Sequence, residues 1–180
     1  MILSIDPSMT CTGWALFEPT REKIVAHGYV CPPEADLFVA CDLLVSTVWT
    51  RVLEHTTAAG IATVLIETPQ TVMFNGRATK AKRSITSLPT YGVVVGAFYG
   101  RFSGMAPLEG KIEGVSVSEW AMRYAVRKDD KHKEGRAKLV ELLFNLQRGA
   151  LGPKTYAGNV ADAMLMARWW AERQRIGGGK

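Results

Sequence analysis

No run of about eighteen apolar residues occurs in this chain, so no segment is long and apolar enough to span a membrane as a helix. A basic stretch followed by an apolar core and a small-residue cleavage pattern is also missing from the amino terminus. The expectation is therefore a cytoplasmic protein with no membrane partner. Cysteine is scarce: Cys11, Cys31 and Cys41 make an odd count, with no CxxC or Cys/His spacing. That argues against a disulfide framework and a zinc site and fits a reducing compartment. Neither an internal repeat nor a linker divides the 180 residues. One domain is expected over residues 1–175, with 176–180 (IGGGK) as a disordered tail.

What is present is an ordinary globular composition, 47% apolar and 22% charged, enough to bury a core. Basic residues outnumber acidic ones by 22 to 17, a formal charge of +5. The excess is clustered. Arg77, Lys80, Lys82 and Arg83 crowd one segment, and Arg123, Arg127, Lys128, Lys131, Lys133, Arg136 and Lys138 crowd a second. Arg168, Arg173, Arg175 and Lys180 end the chain. A basic run is ordinarily a solvated helix face, but three separate runs favour a surface for a polyanion.

Residues Ile2 to Ile5 read as a strand that stops at Asp6-Pro7, because proline cannot donate a ladder hydrogen bond. Gly13 to Phe17 and Lys23 to Val30 complete an antiparallel meander. Asp36 can cap a helix running to about Ala59. Ala62 to Ile66 (ATVLI) is a short continuous apolar run, as in a buried parallel strand, and ends in Glu67-Thr68-Pro69. Gln70 to Ser87 reads as a long polar and basic loop holding Met73 and Phe74. Leu88 to Phe102 reads as a helix with Gly92, Gly96 and Gly100 on one stripe, suited to close packing on the sheet or on another helix. A strand at Gly114 to Ser118, a short helix at Trp120 to Val126 and a charged loop at Arg127 to Gly135 follow. The chain closes with helices over Arg136 to Asn145 and from Asn159, as N-cap, to about Arg173. The order predicts an α/β protein: a mixed five-stranded sheet, antiparallel meander then parallel strands, with helices on both faces.

Asp6 and Glu67 each end an apolar strand, and Asp162 lies three residues after Asn159, on the same helix face. Taken singly, each acid could be a turn or cap residue bonded to backbone N–H groups. Carboxylates meeting at one point repel unless a cation joins them, and Mg²⁺ or Mn²⁺ prefers such oxygen ligands. Two such ions about 4 Å apart can activate a water and stabilise the leaving oxygen of a phosphodiester. A nucleotide-using fold that also begins with an Asp-bearing hairpin needs a glycine-rich phosphate turn, and DPSMTCTG is not one.

Three stretches, ILSIDPSMTCTGWAL, VLIETP and NVADAMLMA, resemble a RuvC-type Holliday junction resolvase of the ribonuclease H-like superfamily, with matching element order over nearly the whole chain. The resemblance implies a Mg²⁺-dependent endonuclease (Mn²⁺ substituting) acting on branched DNA as a homodimer. Asp6, Glu67, Asn159 and Asp162 would hold metal. Lys133 would be the catalytic lysine, with Lys131 as alternative, and Phe74 would enter the junction. Arg77, Lys80, Lys82, Arg83, Lys128, Lys131 and Arg136 are expected to contact DNA. Two positions depart from the family pattern. Ser8 replaces a glycine, which matters little if the turn is not left-handed there. Asn159 stands where the family has Asp or His, and offers a weaker, neutral ligand. A nuclease of the same fold for other branched or hybrid nucleic acids, or a junction-binding protein with impaired cleavage, are the alternatives.

Overall fold

The computed structural model describes residues 1–32, 36–68, 87–124 and 133–177, the side chains of 87, 88 and 133 excepted. In chain order the elements are β1 (Ile2–Asp6), β2 (Thr12–Glu18), β3 (Lys23–Val30), α1 (Leu37–Leu53), β4 (Thr63–Thr68), α2 (Ser87–Ser103), β5 (Ile112–Ser116), α3 (Val117–Ala121), α4 (Lys133–Leu143) and α5 (Lys154–Gly177). The five strands form one sheet in the order β3-β2-β1-β4-β5. β1, β2 and β3 pair antiparallel, while β4 runs parallel to both β1 and β5. This is the mixed sheet read from the sequence, a ribonuclease H-like architecture.

Strand alternation decides which helix each residue meets. Leu3 and Ile5 of β1 point to one face, where they join Val64 and Ile66 of β4, Leu44 and Val48 of α1, and Val94 and Phe98 of α2. Ile2 points to the other, with Ala15, Phe17, Leu65 and Val115, against α5 residues from Val160 to Trp170. Ser4 and Asp6 follow Ile2 on the α5 face.

Several boundaries differ from the sequence reading, each for a local reason. α1 starts where expected, the Asp36 carboxylate accepting from the Phe38 N–H at 2.9 Å, but it ends at Leu53. Thr57 then caps a separate turn of 3₁₀ helix at Ala58–Gly60. β5 is Ile112–Ser116 rather than Gly114 to Ser118, because Ser116 and Glu119 form a reciprocal capping box that starts α3 at Val117. α4 begins at Lys133, not Arg136. α5 begins five residues before Asn159, directly after Pro153, whose carbonyl accepts from the Tyr156 and Ala157 N–H groups. Asn159 is therefore inside the helix and is not its N-cap. The tail expected at 176–180 is helical to Gly177; the rest of it, the loop from Gln70 to Ser87 up to residue 86, and residues 125–132 lie outside the described residues.

The cysteine expectation is overturned. Cys11 and Cys31 form a disulfide with their Cα atoms 4.1 Å apart. The cause is register: Thr12 of β2 pairs with Val30 of β3, so the residues flanking that pair stand opposite one another across the ladder. Cys41 is the odd residue, buried in α1 as a small apolar side chain.

Candidate active site

Asp6 is the last residue of β1. Its predecessor Ile5 pairs with Ile66 of β4, so the next step along the parallel pair brings Glu67 alongside Asp6. Leu65, two residues before Glu67, faces α5, and so by alternation does Glu67. Both acids are buried, at 9% exposure each. On the opposite side of β4, Tyr91 of α2 donates its hydroxyl to the Glu67 carbonyl at 3.2 Å, which fixes the strand end to that helix.

Two contacts lock α5 over this end of the sheet. The Ser4 hydroxyl, fully buried, donates to the Ala163 carbonyl at 2.7 Å. Gly13, the β2 partner of Asp6, lies so close to the helix that a Cβ there would stand 2.3 Å from the Asn159 carbonyl carbon and oxygen. Asn159 through Ala163 thus lie directly on β1 and β2, with Asp162 8% exposed among them. The structure therefore brings Asp6, Glu67 and Asp162 to one face and one end of the sheet. Among the described residues, no three His, Cys, Asp or Glu side chains are grouped so as to hold an ion as they stand.

The corner at Asp162 contains a residue that composition alone assigned elsewhere. Arg136 of α4 is buried, and its Nη1 donates to Asp162 Oδ2 at 2.6 Å. Read from the sequence as one of a run of surface cations for DNA, it lies instead inside the site, and its burial removes it from any exposed phosphate-contacting face. Asn159 is engaged too, its amide Nδ2 donating to the Cys11 carbonyl. An aspartate at 159 could not make that bond. Ser8 is not in the left-handed region, which among described non-glycine residues holds only Glu22 and Asn145. It sits in a turn closed by Thr12, whose hydroxyl accepts from the Ser8 N–H and donates to the Ser8 carbonyl, 3.1 Å each.

Lys133 is the first residue of α4, one turn before Arg136. Phe74, Arg77, Lys80, Lys82, Arg83, Lys128 and Lys131 lie outside the described residues. Arginines of the carboxy-terminal cluster are paired within the chain, Arg168 with Glu172, Arg173 with Glu119 and Arg175 with Glu22, and Arg123 of the second run shares Glu172.

The donor set suits a hard cation where Asp6 and Glu67 stand side by side, because two buried carboxylates on adjacent strands are like charges that a divalent ion would neutralise. At Asp162 the carboxylate is paired with the Arg136 guanidinium.

A mixed sheet in this order, with a long helix over one face, is a fold shared with solved Holliday junction resolvases. Two solved RuvC structures from T. thermophilus share it. One, in complex with a Holliday junction substrate, has a TM-score of 0.66 at 16% identity, covering 98% of this chain and 95% of that one. The other has a TM-score of 0.55 at 17% identity, covering 98% and 96%. The yeast mitochondrial Holliday junction resolvase Ydc2 also shares it, with a TM-score of 0.63 at 14% identity over 97% of this chain and 78% of that one. No protein-family model and no curated protein sequence matches.

Proposed function

We propose that this protein is a Mg²⁺-dependent endonuclease that cuts branched DNA, four-way junctions above all, by paired nicks from a homodimer. The observation that carries the reading is the buried Asp6 and Glu67 pair, side by side at the end of β1 and β4, in a fold shared with RuvC over nearly the whole length of both chains. Asp6 and Glu67 would hold the divalent ion, whose contribution when bound is to polarise the scissile phosphate and acidify an attacking water. Asp162 sets the charge on the helix side of the site, and Asn159 keeps the turn at Cys11 against α5. Lys133, the first residue of α4, would supply positive charge toward the scissile phosphate. The remaining basic segments hold the DNA arms through phosphates, which gives affinity without reading sequence.

Cleavage of a four-way junction beside a linear duplex of the same sequence, with Mg²⁺, with Mn²⁺ and with EDTA, tests this. Paired junction nicks that EDTA abolishes, with the duplex left whole, are expected. Equal cutting of the duplex, or preferred cutting of an RNA–DNA hybrid, would move the protein to another substrate class. Tight junction binding with no cutting in either metal would favour the binding-protein reading, which the amide at Asn159 supports.

The dimer has a surface to use. Gly92, Gly96 and Gly100 of α2 are exposed, and a Cβ on any of them meets nothing within 4 Å, so this stripe does not pack on the chain's own sheet. Val95 is buried and Tyr91 and Tyr99 pack toward the core, so they belong to the helix's inner side. Beside the stripe a groove of about 310 Å³ between α1 and α2 is lined by Phe38, Val93, Ala97, Asp42 and Arg101. Phe38 is 72% exposed. An isologous contact is self-complementary, and a groove carrying both Asp42 and Arg101 can present each to the other in a second copy. Gly96→Arg is expected to keep the chain folded, since a Cβ there meets nothing within 4 Å, while shifting sedimentation from dimer to monomer and suppressing the paired cut. A dimer that survives this change would place the contact elsewhere.

A further inference from the structure

Among the described residues β3 is an edge strand, bonded to β2 on one side. Tyr29 stands opposite Gly13, and its carbonyl accepts from Arg51 Nη1 of α1 at 3.3 Å, so that carbonyl is turned away from β2. Both backbone groups of a residue in an antiparallel ladder point to the same side, so the Tyr29 N–H is turned outward too. By the two-residue repeat of a strand, so are the N–H and carbonyl of His27. The register shift at Leu16 and Phe17 lies beyond His27 and leaves this stretch regular. The edge therefore presents donors and acceptors in alternation, a pattern that another strand completes.

A groove of about 600 Å³ follows that edge. It is lined on one side by Leu43, Thr47 and Arg51 of α1 and on the other by residues 150–152, just before α5. The two sides belong to opposite faces of the sheet, since α1 packs with Leu3 and Ile5 while Leu151 packs with Ile2 and Phe17. Alternate side chains of an added strand would thus find a wall on each face. Gly28, in the middle of the stretch, lines the groove. A Cβ there would stand 3.2 Å from the Trp14 indole, so the position carries no side chain and leaves space on the α1 side. None of the described lining residues is an acid, and Arg51 is exposed. Burial holds the His27 imidazole below its usual pKa, so the charge in the groove at neutral pH is the Arg51 guanidinium. Its bond to Tyr29 takes one of five N–H donors, and the fork geometry suits a carboxylate.

We propose that the free edge of β3 takes up an extended segment of a partner protein as an added strand, with an acidic side chain of that segment on Arg51. Backbone pairing with His27 and Tyr29 supplies the register, and the carboxylate supplies the selectivity. A nucleic-acid strand fits less well, because the outward carbonyls of His27 and Tyr29 repel phosphates. The proposal is independent of the nuclease reading and stands or falls without it.

The test uses the full chain and short synthetic peptides of alternating valine and threonine, blocked at both ends, with one glutamate moved along the sequence. Each has a counterpart with glutamine in its place. Fluorescence anisotropy measures binding, and amide hydrogen exchange locates it. At least one glutamate peptide is expected to bind saturably, with its glutamine counterpart about tenfold weaker, as the loss of a charge-assisted bond implies. The His27 and Tyr29 amides should exchange more slowly in the complex. Arg51→Ala should bring the glutamate peptide down to the glutamine level. His27→Pro removes an outward N–H that β2 does not use, and should abolish binding of both. If His27→Pro fails to fold, the exchange pattern and Arg51→Ala, a change at an exposed side chain, decide. No binding by any peptide, or binding that Arg51→Ala leaves unchanged, would overturn the proposal. So would a four-way junction or duplex that slows exchange at His27 and Tyr29 where the peptides do not, which would make the groove a DNA contact.

Discussion

Asp6→Asn or Glu67→Gln should reduce single-turnover junction cleavage by more than about a hundredfold, the upper end of what losing even an outer-shell partner of a metal ligand costs. Each change keeps size and shape and removes one charge from a buried pair on adjacent strands. Junction affinity in a gel-shift assay should stay within a few-fold of wild type. Affinity comes from cations that neutralise phosphates, and removing a carboxylate near the path of the DNA takes away a repulsion. The combination of lost cutting and kept binding is what distinguishes a metal-holding acid from a structural one, whose loss would lower both through misfolding. Full cutting by either variant would remove these two acids from the centre of the reaction.

The acids were legible because their signal is local. An apolar strand, an acid and a proline within two residues occur twice, at Asp6 and Glu67, and that pattern places each acid at the end of its strand. The order of strands and helices was legible for the same reason, each element declaring its own period. Relations across the fold were not. The odd number of cysteines pointed away from a disulfide, yet Cys11 and Cys31 flank the Thr12 and Val30 pair, and only the register of the meander sets them face to face. Arg136 was one cation in a run of seven and carried no mark of burial. Its place follows from α4 starting at Lys133 and packing along α5, which turns Arg136 inward, while Lys138, two residues on, lies on a different side of the helix. Asn159 resembled an N-cap because Gly158 precedes it. Pro153 starts α5 earlier, and Gly158 is simply a buried helical residue where α5 crosses the sheet.

That crossing makes Gly13 the residue whose substitution should do most damage outside the acids. A Cβ at this position would stand 2.3 Å from Asn159 C and O and 2.6 Å from Val160 N. All three atoms are backbone in the interior of a helix, so no side chain can swing aside. Gly13→Ala must push α5 off β2 by roughly 1 Å, and overpacking of this kind costs about 1–3 kcal/mol, several degrees in melting temperature for a chain of this size. The same displacement carries Asp162 away from Asp6 and Glu67, since the Ser4 hydroxyl and the Gly13 contact are what hold that stretch of helix to the sheet. A misplacement of roughly 1 Å can lower a rate by about a hundredfold, so cleavage should fall further than the loss of folded protein accounts for. Gly96→Ala is the control. It replaces a helical glycine with open space around it, and by helix propensity alone it should stabilise by up to about 1 kcal/mol. If Gly13→Ala melts and cuts like wild type while Gly96→Ala behaves as expected, α5 does not approach β2 as closely as described, and the placement of Asp162 beside the strand acids fails with it.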